Sequence, residues 1–369
     1  MTIGLSMIVK NESDVLARLL DGIAPAVDEI VIVDTGSTDD TVKIAQKYTD
    51  NVFSLVWIDN FSAARNFARE KIKSDYFMWL DADDTVPPET RDYILRLKRK
   101  KNLDADIVML PYVLGYDESG KPTYSYYRER IIKNSPEFYW QGAVHEAIGL
   151  RGKIIYAKSP IVHAKPSGRS NGTRNLDIYK KLIKSGETLS PRERYYYARE
   201  LYYNGLIADA AREFSAFIDL KDGFTVNKTD ACILLVRCYK QTGDNEKALN
   251  AATKALAYNT PSAELCCLLG ELFFDKGDYP CAAYWYGNAL KCKDDGKSGA
   301  FVQADYGGFL PLVWLSVCHD RMGNIKRAFS YHLRAKRLRP HDKSVTANDV
   351  YFASLGFTTE IPLSKPQEK

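Results

Sequence analysis

The chain has 369 residues, 45% of them apolar, with 51 basic and 47 acidic side chains and a net charge of +4. That length allows about two domains, and so small an imbalance gives no electrostatic case for nucleic acid or an anionic membrane as partner. No stretch approaches the roughly 20 apolar residues of a membrane span, and the start, MTIGLSMIVKNES, shows no basic leader followed by a long apolar core, so the chain is expected in the cytoplasm.

In chain order, TIGLSMIVK predicts a first strand and SDVLARLLDGIA a helix capped by Ser13. DEIVIVDTGS is a second strand with its turn, and TDDTVKIAQKY opens a helix with acids in its first turn. NVFSLVWI reads as a third strand, FSAARNFAREKI as a helix and YFMWLDAD as a fourth strand. After Pro87 and Pro88, ETRDYILRLKRKK is a helix and ADIVMLPYVLGY a strand. This alternation predicts an α/β domain with a largely parallel sheet.

Beyond HAKPSGRSNG the rhythm becomes helix after helix. Glycine is followed five residues later by alanine at Gly205/Ala210, Gly243/Ala248, Gly277/Ala282 and Gly323/Ala328, and the middle two recur at a 34-residue interval. That is the tetratricopeptide period, in which a glycine turn joins antiparallel helices and a small residue lets them pack closely. The flanking intervals of 38 and 46 residues imply inserted loops, the longer holding KDDGKSGAFVQADYGG. The expected division is a sheet domain at 1–170, a linker helix at 171–190, an all-α repeat domain at 191–345 and a tail at 346–369. Such repeats bind a partner or dimerise. All seven cysteines lie between Cys232 and Cys318 without zinc or redox spacing, and are read as small buried side chains in a reducing compartment.

The chemistry concentrates in the first half. YFMWLDADDTVPPET drives an apolar strand into Asp81, Asp83 and Asp84. Crowded carboxylates repel, so either a cation sits there or one acid stays protonated. They stand at the carboxyl end of a strand, where open α/β sheets bind ligands. Asp81 and Asp83, separated by small Ala82, offer hard oxygen ligands to Mg²⁺ or Mn²⁺ shared with substrate phosphates, while Asp84 could instead start the helix after the prolines. Asp34 ends the second strand and can accept from a base N–H or a sugar hydroxyl. Arg65, beside Asn66 at a helix start, suits bidentate diphosphate contacts, the alternative being a surface salt bridge.

SMIVKNE, VDTGSTDDT, FSAARN and WLDADD, in this order and spacing, resemble the family 2 inverting glycosyltransferases of the GT-A fold over about residues 1–165. The resemblance implies a nucleotide-sugar donor, with its base near Asp34, its ribose near Asn11 and Glu12, its diphosphate near Arg65, and a metal on Asp81–Ala82–Asp83, mainly Asp83. FYWQGAVHEAI resembles the VHE element of bacterial members. Inversion needs a base to deprotonate the acceptor; Glu146 is the candidate, with His145 as metal ligand, phosphate contact or the base itself, the alternative being a salt-bridged Glu and a packed His at a strand end. His163 either faces the metal or is structural, and Arg130 either reaches the diphosphate or lies at the surface. His319, His332 and His341 are read as structural.

A glycosyltransferase domain followed by tetratricopeptide repeats is similar to cytosolic enzymes that glycosylate Cys or Ser of bacteriocin precursor peptides. It is also similar to family 2 enzymes of cell-surface or lipopolysaccharide glycans. The expectation is metal-dependent, inverting transfer of one hexose, from a UDP-linked donor, to a peptide side chain, with Tyr124 and Tyr195 in tyrosine-rich runs that line an acceptor groove or pack the interior. A surface-glycan acceptor and a non-catalytic repeat scaffold are the alternatives. A homodimer through the repeats is a further expectation.

Overall fold

The structure, a computed structural model, describes all residues except 118–119, 165, 167, 169–171, 294–295, 298, 300 and 359–369. It divides into two compact units: Met1–Asn204 with Gly299–Val302, and Gly205–Ser298 with Gln303–Lys369.

In the first unit, β1 (Ile3–Val9), β2 (Glu29–Asp34), β3 (Val52–Ser54) and β4 (Tyr76–Trp79) are mutually parallel, in the order β3-β2-β1-β4. β1 and β4 are near-continuous apolar runs because both sheet faces are covered. The helices between them are α1 (Leu16–Ile23), α2 (Thr41–Ala45) and α3 (Phe61–Glu70), with α4 (Pro88–Lys98) following. Leu16, Leu19, Leu20 and Ile23 form the helical stripe by which α1 joins the core with Leu5, Met7 and Ile32.

Several local expectations change. Ser13 does not cap α1; its N–H is held by Asp39 Oδ2 at 3.2 Å, and no side chain caps that helix. β3 stops at Ser54, and Val56 and Ile58 are exposed beyond it. α4 starts at Pro88 behind Pro87, so Asp84 is not its cap.

The sheet then continues through β5 (Asp84–Thr85), β6 (Ile107–Tyr116), β7 (Pro122–Lys133), β10 (Ile154–Tyr156) and β11 (Ile161–His163), while β8 (Trp140–Gln141) and β9 (Ala147–Ile148) pair as a separate antiparallel two-stranded sheet. β7 was not foreseen, and it changes the sheet: it inserts between β4 and β6, antiparallel to both, so the sheet is mixed. Its alternation of tyrosines and charges hid a strand in which Glu129, Arg130, Ile131 and Ile132 are buried. Helices α5 (Arg174–Lys184) and α6 (Pro191–Tyr203) complete the unit, α6 opening on a Ser190–Glu193 capping box. Tyr195 of α6 is 1% exposed, which makes it core rather than groove.

The described residues of the second unit are mainly helical: α7 (Ile207–Ile218), α8 (Thr225–Gln241), α9 (Asn245–Ala255), α10 (Ala263–Asp275), α11 (Tyr279–Ala289), α12 (Phe309–Arg321), α13 (Ile325–Leu338) and α14 (Lys343–Ser354). The turn glycines Gly205, Gly243, Gly277 and Gly323 all have φ between 75° and 79°, the left-handed region that glycine enters without strain. The alanine five residues after each is fully buried. The tail expected from residue 346 is helical as far as Ser354, because Asp342 caps α14 and Val345 and Phe352 are buried; from 359 it lies outside the described residues, as does part of the 46-residue interval. No cysteine is in a disulfide among the described residues, and Cys232, Cys238, Cys266, Cys267 and Cys318 are buried. No described helix is long and apolar enough to cross a membrane.

Candidate active site

The acids after β4 are resolved by giving each a different partner. Asp84 turns inward and is fully buried. Its N–H donates to the Asp81 carbonyl and its Oδ2 accepts from the Asp81 N–H, both at 3.0 Å, which closes the turn. Tyr112 donates its hydroxyl to Asp84 Oδ1 at 2.8 Å, and Arg130 Nη2 lies 3.2 Å from Oδ2. A buried carboxylate requires such compensation. Arg130 is therefore corrected from a diphosphate contact to an interior cation: it is fully buried, its guanidinium carbon 4.0 Å from the Trp79 ring centre and 4.5 Å from that of Tyr112.

Asp81 keeps a half-exposed carboxylate, which accepts from Arg65 Nη2 at 2.7 Å. Burial pushes its pKa up, but the charges of Arg65 and Arg130 outweigh it and hold the pKa at about 2. Arg65 also donates from Nε to Glu146 Oε1 at 2.6 Å. One guanidinium thus joins the first acid of the turn to the acid expected as base. Arg65 lies 4.8 Å from the Trp79 ring centre and 5.1 Å from that of Trp140. Two of the nitrogens expected to fork onto a diphosphate are committed to carboxylates.

Asp83 faces His163, whose Nδ1 is 3.6 Å from Asp83 Oδ1 and 3.8 Å from Asp84 Oδ1. Antiparallel pairing of β5 with β11 sets His163 directly opposite Asp84. Burial, and then the charges of Asp81 and Asp84, raise the Asp83 pKa against the opposing effect of His163. The His163 pKa is raised by hydrogen bonding toward Asp84 and by the nearby acids, against burial. Tyr112 Oη lies 2.8 Å from His163 Nδ1. Since a carboxylate only accepts, the single hydroxyl proton goes to Asp84; neutral His163 then carries its proton on Nδ1 and leaves Nε2 with the lone pair. Among the described residues one group of His, Cys, Asp and Glu side chains can converge on a cation: Asp83, Asp84 and His163, with ligand atoms within 4.8 Å of one another. Asp84 enters this group where the sequence reading had Asp81.

Residues 5–151 match the profile "Glycosyl transferase family 2", and residues 229–260 match a tetratricopeptide repeat. The first unit carries a family 2 glycosyltransferase domain. A TPR repeat-containing protein of Synechococcus elongatus is 32% identical over 40% of this chain and 35% of that protein. An uncharacterized glycosyltransferase of Rickettsia conorii is 34% identical over 27% of this chain and 34% of its own length. The SPbeta prophage-derived glycosyltransferase SunS of Bacillus subtilis is 27% identical over 54% of this chain and 49% of that protein. The chain thus spans about a third to a half of the length of these relatives.

At the other end of the glycosyltransferase domain's site, the loops after β1 and β2 are laced together. Asn11, at φ 55°, accepts from the Thr38 N–H at 2.8 Å and donates its own N–H to Ser37 Oγ at 2.9 Å, and the Glu12 N–H donates to Thr41 Oγ1 at 2.7 Å. Asp34 is buried and accepts from the N–H groups of Gly36 and Ser37, so its carboxylate shapes its own turn. Asn66 points its amide at Trp140, donating to the carbonyl at 3.0 Å and accepting from the N–H at 2.8 Å; it holds the ring that covers Arg65. His145, at φ 52°, pairs through Nε2 with Glu200 at 2.7 Å and stacks on Tyr196 at 4.3 Å. It is not a member of the Asp83–Asp84–His163 group.

Four residues of the site escaped sequence reasoning. Tyr112 and Glu200 supply the partners of the two histidines. Arg18 donates to the carbonyls of Asp83 and Ala164, both at 3.1 Å, and fixes the acid turn against the end of β11. Arg128, two residues before Arg130 on β7, also stacks on Trp79 at 4.6 Å and retains some exposure, 24% of its side chain. The period-2 alternation of YYRERIIK could have flagged Arg128 had β7 been recognised.

Proposed function

We propose that the chain transfers a hexose from a UDP-linked sugar, with inversion, to a side chain of a peptide. The observation that carries this reading is the bridge Glu146–Arg65–Asp81 beside the Asp83–Asp84–His163 group. A carboxylate bridged by Arg65 to the first acid of a turn rich in acids supports Glu146 as the base and the acids as ligands of a cation. The family 2 profile and the glycosyltransferase relatives support the reaction class. The repeat region and the resemblance to peptide-modifying enzymes support the acceptor class.

Asp83 and His163, oriented by Asp84 and Tyr112, fit a hard divalent ion such as Mn²⁺ or Mg²⁺. Such an ion would neutralise charge on the leaving diphosphate. Asn11, Glu12 and Asp34 sit together at the strand ends where a nucleoside binds in open sheets. Arg128, partly exposed and paired with Glu129 at 3.2 Å, is the cation of β7 proposed to meet phosphate once Arg65 and Arg130 are committed. Arg65 holds Glu146 through Oε1, and Oε2 takes the proton of the attacking group.

The test is mass spectrometry of candidate peptides and glycans incubated with a panel of nucleotide sugars and Mn²⁺. One added hexose on a peptide is the expected product; addition to glycans alone would move the acceptor class, and no product with any donor would overturn the reading. Glu146→Gln still accepts from Arg65, so it should bind UDP as wild type does and transfer at least about a hundredfold more slowly. Full transfer in this variant would remove Glu146 from the base position.

A further inference from the structure

The second unit contains a cavity of about 720 Å³ that none of the chemistry above uses. Its walls are α11 and α13, the second helices of successive pairs, and its floor is Leu315 and His319 of α12.

Three observations there point the same way. First, Gly287 stands inside α11, where alanine would favour the helix. A Cβ at Gly287 would meet no atom within 4 Å, whereas one at Gly270 of α10 would come within 2.9 Å of the Tyr286 ring. The fold thus explains Gly270 and leaves Gly287 to another cause: with Ala283 one turn earlier, it keeps the groove open to a close approach by something else. Second, the lining holds three cations, Lys291, Arg327 and Arg334, and no acid. Among the described residues none of the three pairs with a carboxylate; Lys291 reaches only the side chain of Asn288, and Arg334 lies over the Tyr331 ring at 5.4 Å. Third, His319 is 6% exposed, is stacked parallel to Tyr331, and has a buried Nδ1 with no hydrogen-bond partner. Buried polar atoms without partners are rare.

We propose that the groove between α11 and α13 binds an extended acidic peptide segment. Its main chain approaches over Ala283 and Gly287, and its carboxylates meet Lys291, Arg327 and Arg334. An apolar side chain packs on Tyr331 and on Tyr284, which is 63% exposed. Small residues admit a backbone, aromatic rings anchor a side chain at low entropic cost, and unpaired cations select acids. The inference stands apart from the transfer reaction and survives its failure.

The experiment is selection of a random heptapeptide display library on the intact chain, followed by fluorescence anisotropy of the selected peptides. They should be enriched in Asp and Glu and bind more weakly as salt rises. The double variant Arg327→Ser, Arg334→Ser should lose about tenfold in affinity, the scale of a lost pair of charge contacts. Gly287→Leu should fill the groove and lose binding to a similar degree, while circular-dichroism melts report that both variants are folded and UDP binding is unchanged. Selection without acidic enrichment, or equal binding by either folded variant, overturns the proposal.

Discussion

The guanidinium of Arg65 serves two carboxylates at once, and both depend on it. Glu146 is 11% exposed at its side chain, so Arg65→Met leaves a largely buried carboxyl group without its guanidinium partner. The expected loss of stability by urea unfolding is about 3–5 kcal/mol. Arg65→Lys should restore little, since an ammonium cannot present the fork that reaches both Asp81 and Glu146. A loss below about 1 kcal/mol in Arg65→Met, the size of an exposed pair, would contradict the bridge. At the neighbouring pair, burial pushes the Glu200 pKa up, but hydrogen bonds from His145 and Asn175 outweigh it and bring it below the usual value. Its stabilisation is therefore complete above the unfolded pKa of about 4.3 and is lost as pH falls through the lower folded value. Glu200→Gln should flatten the acid limb of the stability curve from about pH 4.3 downward; an unchanged acid limb would mean that the pair contributes nothing.

Among the elements, the repeat turns are the most constrained by single residues. Gly243 has φ 77° with open space around a would-be Cβ, so Gly243→Ala suffers from backbone strain alone, about 1–2 kcal/mol. Ala248 is fully buried between helices, and Ala248→Leu should cost about 1–3 kcal/mol by overpacking. Chemical denaturation checks both, and a neutral result in either would contradict the helix-pair packing. These positions were legible before the structure because a turn glycine and a packed alanine are local demands that recur with the repeat. The parallel strands and α3 were legible for a similar reason: long apolar runs and a helical stripe announce themselves. β7 was not, because tyrosine and charge alternate along much of it and its burial is imposed by β4 and β6. Missing β7 meant misplacing Arg130, whose destination is set by the strand that carries it.

The whole molecule joins two units with separate cores, one built around β1 and α1 and the other around α10–α12. Composition and periodicity marked both. The residue types of the site were equally visible: three acids after an apolar strand, an arginine, a His–Glu pair. Their partnerships were not, since which acid turns inward depends on Tyr112 and Arg130, both distant in the chain. The central claim is that the acids closing β4 hold a divalent ion through which a nucleotide diphosphate is bound. Isothermal titration of UDP into the intact chain tests it most directly. The account predicts binding heat with Mn²⁺ present, none when it is chelated, none in Asp83→Ala, and undiminished heat in Glu146→Gln; UDP binding that is indifferent to Mn²⁺ and to Asp83 would contradict it.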